Sequence, residues 1–208
     1  METDADSSAQ PSGMADGVVV VGASAGGVEA LVTFVGSLPR ETDQAICVVL
    51  HVSPAGTSAM PEILARASAL PVHGPVDGEP LLAGHVYVAP PDHHLELERA
   101  AVRLTRAPRE HGHRPAVDAT MRSAAQAYGA AVVGVVLSGS GDDGTAGLLA
   151  IKRRGGAAVA QEPAEALHRG MPESAIARAG VDAVLPLAEM AGWLARRSRP
   201  EPATSGAD

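Results

Sequence analysis

The chain has 208 residues, room for one well-packed domain but not for two large ones, and its hydrophobic content of 46% is enough to build a core. Aromatic residues make up 2% and the net charge is −8, which argues against stacking platforms for single-stranded nucleic acid and against clustered Lys and Arg for phosphate. The one cysteine, Cys47, excludes an internal disulfide and reads as a small core residue.

Residues 1–16 contain acidic residues, Ser, Pro and Gly, without the basic start and apolar run of a signal peptide; they are expected to be a disordered tail. No segment approaches the roughly 20 apolar residues a membrane helix needs, so a soluble, cytoplasmic protein without membrane insertion is expected. The domain should span residues 17–197. It opens with Val18–Val21, a β-branched run suited to a strand covered on both faces, which continues through Gly22-Ala23-Ser24-Ala25-Gly26-Gly27 into a helix ending near Ser37. A second apolar strand, Ile46–Leu50, ends in His51, and a helical segment follows from about Ser58 to Ser68. Between Val72 and Pro108 the alternation breaks. His85–Ala89, Leu95–Leu97 and Ala101–Leu104, separated by Pro90-Pro91-Asp92, read as antiparallel hairpin strands attached to the sheet. A helix is predicted over Val117–Tyr128, then a buried strand, Ala131–Leu137, which ends in Ser138-Gly139-Ser140-Gly141-Asp142-Asp143-Gly144 and enters a helix reaching Arg154. Strands at Ala157–Ala160 and Ala183–Leu187 and helices at Pro172–Ala179 and Leu187–Arg197 complete the core. Residues 198–208 read as a second disordered tail, and Trp193 as a packing residue. The pattern is that of an α/β fold: a doubly wound, largely parallel sheet with helices on both faces and an antiparallel hairpin.

A serine on a glycine-flanked strand-to-helix turn stands clear of the sheet beside unpaired amides that can hold an oxyanion. The same turn is compatible with a dinucleotide pyrophosphate loop or with a tight structural turn. A Gly-x-Gly-x-x-Gly spacing is absent, and His51 stands where a ribose-binding carboxylate would be expected. Ligands of doubly wound sheets bind beyond the carboxyl ends of the strands, where Ser24, His51 and Asp142-Asp143 all fall. A hydroxyl, a base to take its proton and a carboxylate to orient the base make a nucleophilic triad, here in the order Ser, His, Asp rather than the Ser, Asp, His order of α/β-hydrolases.

These segments, with Gly84–Pro90, Asp92–Leu97, His113–Asp118, Leu137–Gly144 and Gly170-Met171-Pro172, resemble the catalytic domain of the chemotaxis protein-glutamate methylesterases, the CheB family, in order and spacing from about Val18 to Leu187. The resemblance implies Ser24 as nucleophile, His51 as base, Asp143 as orienting carboxylate and the backbone amides of Ala25 and Ser140 as oxyanion hole. Those last two positions differ from the Thr and Met common in the family, a change a backbone amide survives. It implies hydrolysis of γ-glutamyl methyl esters on chemoreceptors, deamidation of receptor glutamines by the same acyl chemistry, no cofactor, and as partner the helical bundle of a methylated receptor, met by an open groove near Ser24. A receptor-binding module without turnover and a dinucleotide-binding oxidoreductase are the rival classes. The N-terminal receiver domain usual in such enzymes is not matched, so the alternatives are constitutive activity, control by a separate regulator, or a signalling system other than chemotaxis. Leu167-His168-Arg169 is more polar than the family's loop at this place. Asp142 reads as a solvated loop residue, its alternative role being to raise the pKa of Asp143 by repulsion. The pairs His93-His94 and His111-Gly112-His113 lack the convergence of a metal site, and the arginines at 99, 103, 106, 109 and 114 read as a solvated face that would meet an acidic partner if any.

Overall fold

The computed structural model describes residues 13–54 and 57–198, so most of both expected tails lies outside the described residues. Residues 13–16 fall within the expected N-terminal tail. They are tied down, with the Ala15 N–H donating to Leu81 O at 2.9 Å, Met14 bridging to Leu82, and Ala15 buried.

Nine strands and six α-helices are described: β1 (Val18–Ala23), α1 (Gly27–Gly36), β2 (Ala45–Leu50), α2 (Met60–Ala67), β3 (Val72–His73), β4 (Val86–Val88), β5 (His94–Glu98), β6 (Ala101–Thr105), α3 (Val117–Tyr128), β7 (Val132–Val136), α4 (Thr145–Arg153), β8 (Ala157–Gln161), α5 (Gly170–Ala179), β9 (Ala183–Leu185) and α6 (Leu187–Ser198). Seven strands form one parallel sheet in the order β3-β4-β2-β1-β7-β8-β9. In β1, Val18 and Val20 face a core shared with α3, α4 and α5, whereas Val19 and Val21 face a second core shared with α1, α2 and α6. Both faces of the strand are therefore covered, the reason its sequence is uniformly β-branched instead of alternating. Trp193 packs against the second core.

The hairpin differs from the sequence expectation. Of the three segments expected to form it, β5 and β6 pair antiparallel as a separate two-stranded sheet, while β4 lies parallel to β2 with Ile46 opposite Val86. Tyr87 in β4 is fully buried and its hydroxyl is satisfied by Pro80 O and Leu82 N–H, which fits a strand inside the main sheet. The hairpin is fastened instead to α3, through Leu97 N–H to Ser123 Oγ and Ala100 N–H to the Tyr128 hydroxyl, both 3.0 Å.

Cys47 sits in β2, wholly buried, and burial pushes its thiol up to about 12 because no water reaches the thiolate. A disulfide reagent such as dithionitrobenzoate should therefore leave the native protein unlabelled and modify one thiol per chain in guanidinium. Rapid labelling in buffer would contradict this placement.

The strand order reverses beside β1: the chain passes from β1 to β2 on one side and reaches β7 on the other. Such a switch point opens a crevice at the carboxyl ends of the strands. β1, β2 and β7 run directly into Ser24, His51 and the Leu137–Gly144 segment there. Gly22 allows one further approach, since a Cβ on it would fall 2.3 Å from Val117 Cγ1; its absence lets the start of α3 close over β1.

Candidate active site

Ser24 is the first residue beyond β1. Its N–H donates to Ser138 O at 2.9 Å, and its carbonyl accepts from Gly27 N–H at 2.9 Å as α1 begins. Gly26 makes that turn with φ of +68°, and a side chain there would strike Leu167 and Ser138 Oγ within 3 Å. Buried Ser138 joins the two walls of the crevice, its hydroxyl donating to Ala25 O at 2.8 Å and accepting from His168 N–H at 3.0 Å. The backbone N–H groups of Ala25 and Ser140 have no acceptor among the described residues. Unpaired amides of this kind are able to donate to an anion bound in the crevice.

His51 is held at the end of β2 by its N–H to Ala23 O at 3.2 Å. Its Nδ1 lies 3.0 Å from Ser24 Oγ and its Nε2 2.7 Å from Asp143 Oδ2. An ionised carboxylate can only accept, so Nε2 carries the proton and Nδ1 is left as the acceptor for the serine hydroxyl. The ring is thus turned end for end relative to the chymotrypsin template, where Nδ1 meets the aspartate. The chemistry is unchanged, because either nitrogen of imidazole serves as base when the other is a donor.

Asp143 is 2% exposed. Besides His51, it accepts from Val117 N–H at 2.8 Å and Asp118 N–H at 2.9 Å, the first two amides of α3. Burial alone would raise its pKa, but the hydrogen bonds from His51, Asp118 N–H and Val117 N–H outweigh it and hold the carboxyl below its ordinary value. Asp142 is partly solvated, as its loop position suggests, and the alternative role of raising the pKa of Asp143 is not seen. Asp142 turns away to Arg178, Nη2 to Oδ2 at 2.9 Å, and to His111.

Three further residues, to which the sequence assigned no role, meet at the site. His113 stacks on His51, ring centroids 3.8 Å apart and 6° from parallel; burial first, and then the neighbouring His51, lower its pKa. A neutral ring there braces the base. Asp118 is buried and accepts from Gly144 N–H at 3.0 Å and Gly147 N–H at 2.6 Å, which ties the turn carrying Asp143 to α3; burial and the charge of Asp143 raise its pKa. Exposed His111 donates from Nε2 to Asp118 Oδ2 at 2.8 Å; burial works to lower its pKa, but the Asp118, Asp143 and Asp142 carboxylates raise it overall. His113 and Asp118 fall in a segment that carries the resemblance, but their contacts with His51 and with the turn bearing Asp143 are made only by the fold.

Beside Ser24 and His51 lies an open cleft of about 360 Å³ whose walls include Val28, Met60, Ile63 and Pro91. The other histidine pair is structural: His94 is buried between Pro108 O and Ala116 N–H, and His93 meets Pro91 O and Arg106. Much of the arginine run is engaged locally. Arg114 donates to Asp92 Oδ1 at 2.6 Å with Arg106 and Arg109 also near that carboxylate, while Arg103 pairs with Asp77 and Glu98. The dinucleotide reading of the turn fails on geometry, since the residue ending the second strand is bonded to Ser24.

A family model described as CheB methylesterase matches residues 19–194. Similar proteins include a protein-glutamate methylesterase/protein-glutamine glutaminase 2 of Rhizobium johnstonii, 41% identical over 178 residues that cover 84% of this chain and 48% of the relative. A protein-glutamate methylesterase/protein-glutamine glutaminase 1 of Geobacter metallireducens is 40% identical over 185 residues, 85% of this chain and 51% of the relative. The chain spans about half the length of the curated relatives it matches. The crystal structure of the Thermotoga maritima CheB methylesterase catalytic domain superposes with a TM-score of 0.83 at 34% identity, covering 87% of this chain and 98% of that one.

Proposed function

We propose, from the premise that the chain belongs to the CheB methylesterase family, that it hydrolyses γ-glutamyl methyl esters of a chemoreceptor to glutamate and methanol, with Ser24, His51 and Asp143 as its triad. The observation that carries this reading is the continuous hydrogen-bonded chain from Ser24 Oγ through the His51 ring to Asp143, set beside an open cleft. His51 Nδ1 takes the Ser24 proton as Oγ attacks the ester carbonyl. The negative charge that develops on the carbonyl oxygen is met by the amides of Ala25 and Ser140. As the tetrahedral intermediate collapses, Nδ1–H protonates the departing methoxide and methanol leaves. Water then attacks the acyl-enzyme, giving its proton to Nδ1, and Nδ1–H returns that proton to Ser24 Oγ as the acyl bond breaks and the glutamate side chain leaves. Asp143 stays ionised throughout and stabilises the imidazolium. Attack on a glutamine side chain by the same path would release ammonia, so deamidation belongs to the same proposal.

A receptor's helical bundle suits an open cleft better than a closed pocket would. No helix among the described residues is long and apolar enough to cross a membrane, and the proposed substrate places the reaction at the cytoplasmic part of a receptor. A binding module without turnover would have no need to keep a carboxylate buried behind a histidine, at a cost in desolvation that the observed hydrogen bonds must offset.

The test has two arms. The purified protein should release methanol from membranes carrying methylated receptor, and a fluorophosphonate should label it once, at Ser24 by peptide mass spectrometry. Labelling without methanol release keeps the nucleophile and rejects the receptor ester; failure of both rejects the hydrolase.

A further inference from the structure

On the side of Asp143 away from His51, one ligand atom each of His111, Asp118 and Asp143 lies within 4.8 Å of the other two. His111 Nε2 is 2.8 Å from Asp118 Oδ2 and 3.8 Å from Asp143 Oδ1. Nitrogen and oxygen ligands about 2.1 Å from a tetrahedral zinc ion are about 3.4 Å apart, between these two distances. We infer that His111, Asp118 and Asp143 form a binding site for one divalent transition-metal ion of the zinc class, and that its occupancy inhibits the esterase by engaging the carboxylate that orients His51.

The site is built beyond the three ligating groups. The second oxygen of Asp118 accepts from Gly144 and Gly147 N–H, and Asp143 Oδ2 is held by His51 and Val117 N–H. On the far side of the His111 ring, Nδ1 faces Asp142 Oδ1 at 3.3 Å. A carboxylate on that nitrogen fixes the tautomer that offers Nε2 to a metal, an arrangement typical of histidine ligands. Two carboxylates and a neutral imidazole balance a dication, which would replace and release the proton now shared between His111 and Asp118. Both aspartates are buried, whereas His111 is exposed and gives the ion a path from solvent. Spacing could not show this, since His111 and His113 do not converge and the second and third ligands come from α3 and the β7–α4 turn.

Inhibition follows from the shared carboxylate. An ion on Asp143 Oδ1 withdraws electron density from the oxygen that accepts from His51, and sets positive charge close to the imidazolium that must form during attack. This consequence rests on the proposed triad, but binding does not.

Binding and inhibition are therefore measured separately on the full chain. Calorimetric titration of Zn²⁺ into Ser24→Ala should show one site, and His111→Asn in that background should weaken it by at least about tenfold. Asparagine suits this position because His111 has φ of +51°. Asp142→Asn is the second variant, expected to weaken binding by a smaller factor. In parallel, saturating Zn²⁺ should slow fluorophosphonate labelling of Ser24 in the native protein by at least about tenfold, fully reversed by chelator, with the effective Zn²⁺ concentration shifted upward in His111→Asn. Equal Zn²⁺ affinity with and without His111, or no one-site binding, overturns the metal site. Binding that leaves labelling unchanged overturns the inhibition. If Ser24 is not labelled even without zinc, the nucleophile assignment has failed and calorimetry alone decides the site.

Discussion

Replacing Ser24 by alanine should lower ester hydrolysis by roughly 10⁵ to 10⁶-fold, the order seen when the nucleophile of a serine triad is removed. At about 1.4 kcal/mol per tenfold, that is about 7 to 8 kcal/mol of transition-state stabilisation, far more than any other single hydroxyl at this edge of the sheet could supply. The fold should survive. The substitution keeps Cβ, and the backbone bonds of residue 24 to Ser138 and Gly27 do not involve Oγ. What is lost is one hydrogen bond to His51 Nδ1 beside an open cleft where water can replace it, so the stability change should stay within about 1 kcal/mol. Unchanged thermal unfolding with abolished methanol release and abolished phosphonate labelling is the expected result. Retention of more than a tenth of the activity would mean that the attacking group is elsewhere, and Ser24 would revert to a turn residue.

Much of this site was legible because chain direction and burial do the placing. Parallel strands buried on both faces read as unbroken apolar runs, so the ends of β1, β2 and β7 were visible, and with them the positions of Ser24, His51 and the Asp142-Asp143 pair. Choosing between the two aspartates depended on family resemblance. The physical difference between them is tertiary: Asp143 meets the first amides of α3, while Asp142 turns to Arg178. β4 was misread because three residues ahead of the Pro90-Pro91 turn carry no sign of direction; its register against β2 decides it. Edge strand β3, two residues between Pro71 and Gly74, is shorter than any periodicity can reveal. The ring stacked on His51 and the carboxylate beneath Asp143 come from a loop and a helix distant in sequence, and only the fold brings them there.

Asp143→Asn should cost about 10³ to 10⁴-fold in kcat with a much smaller change in KM, because the aspartate acts on the base rather than on the substrate. The hydrogen-bond inventory says why an isosteric change fails. Three N–H donors converge on the carboxylate, from His51 and Val117 at one oxygen and Asp118 at the other, and an amide offers only one accepting atom. If the amide oxygen stays with His51, the NH₂ opposes Asp118 N–H and a buried donor is unsatisfied, at a cost of about 1 to 3 kcal/mol. If the amide flips, the NH₂ faces His51 Nε2, which must then accept; the proton moves to Nδ1 and the base can no longer take one from Ser24. Either way the negative charge that stabilises the imidazolium is gone. The pH dependence of stability carries a second signature. Because the folded pKa of Asp143 lies below the ordinary value, its contribution is complete above about pH 4 and lost as pH falls through the folded value. The stability gap between native protein and variant should therefore narrow on acidification below about pH 4. Asp118 works the other way, since its raised pKa means that its charge opposes folding at neutral pH, and removing the charge at position 143 relieves part of that opposition. Urea unfolding of both proteins across this range measures the gap, and stopped-flow labelling of Ser24 measures the base. A variant that keeps full labelling speed at neutral pH would show that His51 does not need Asp143, and that the buried carboxylate serves only to anchor α3.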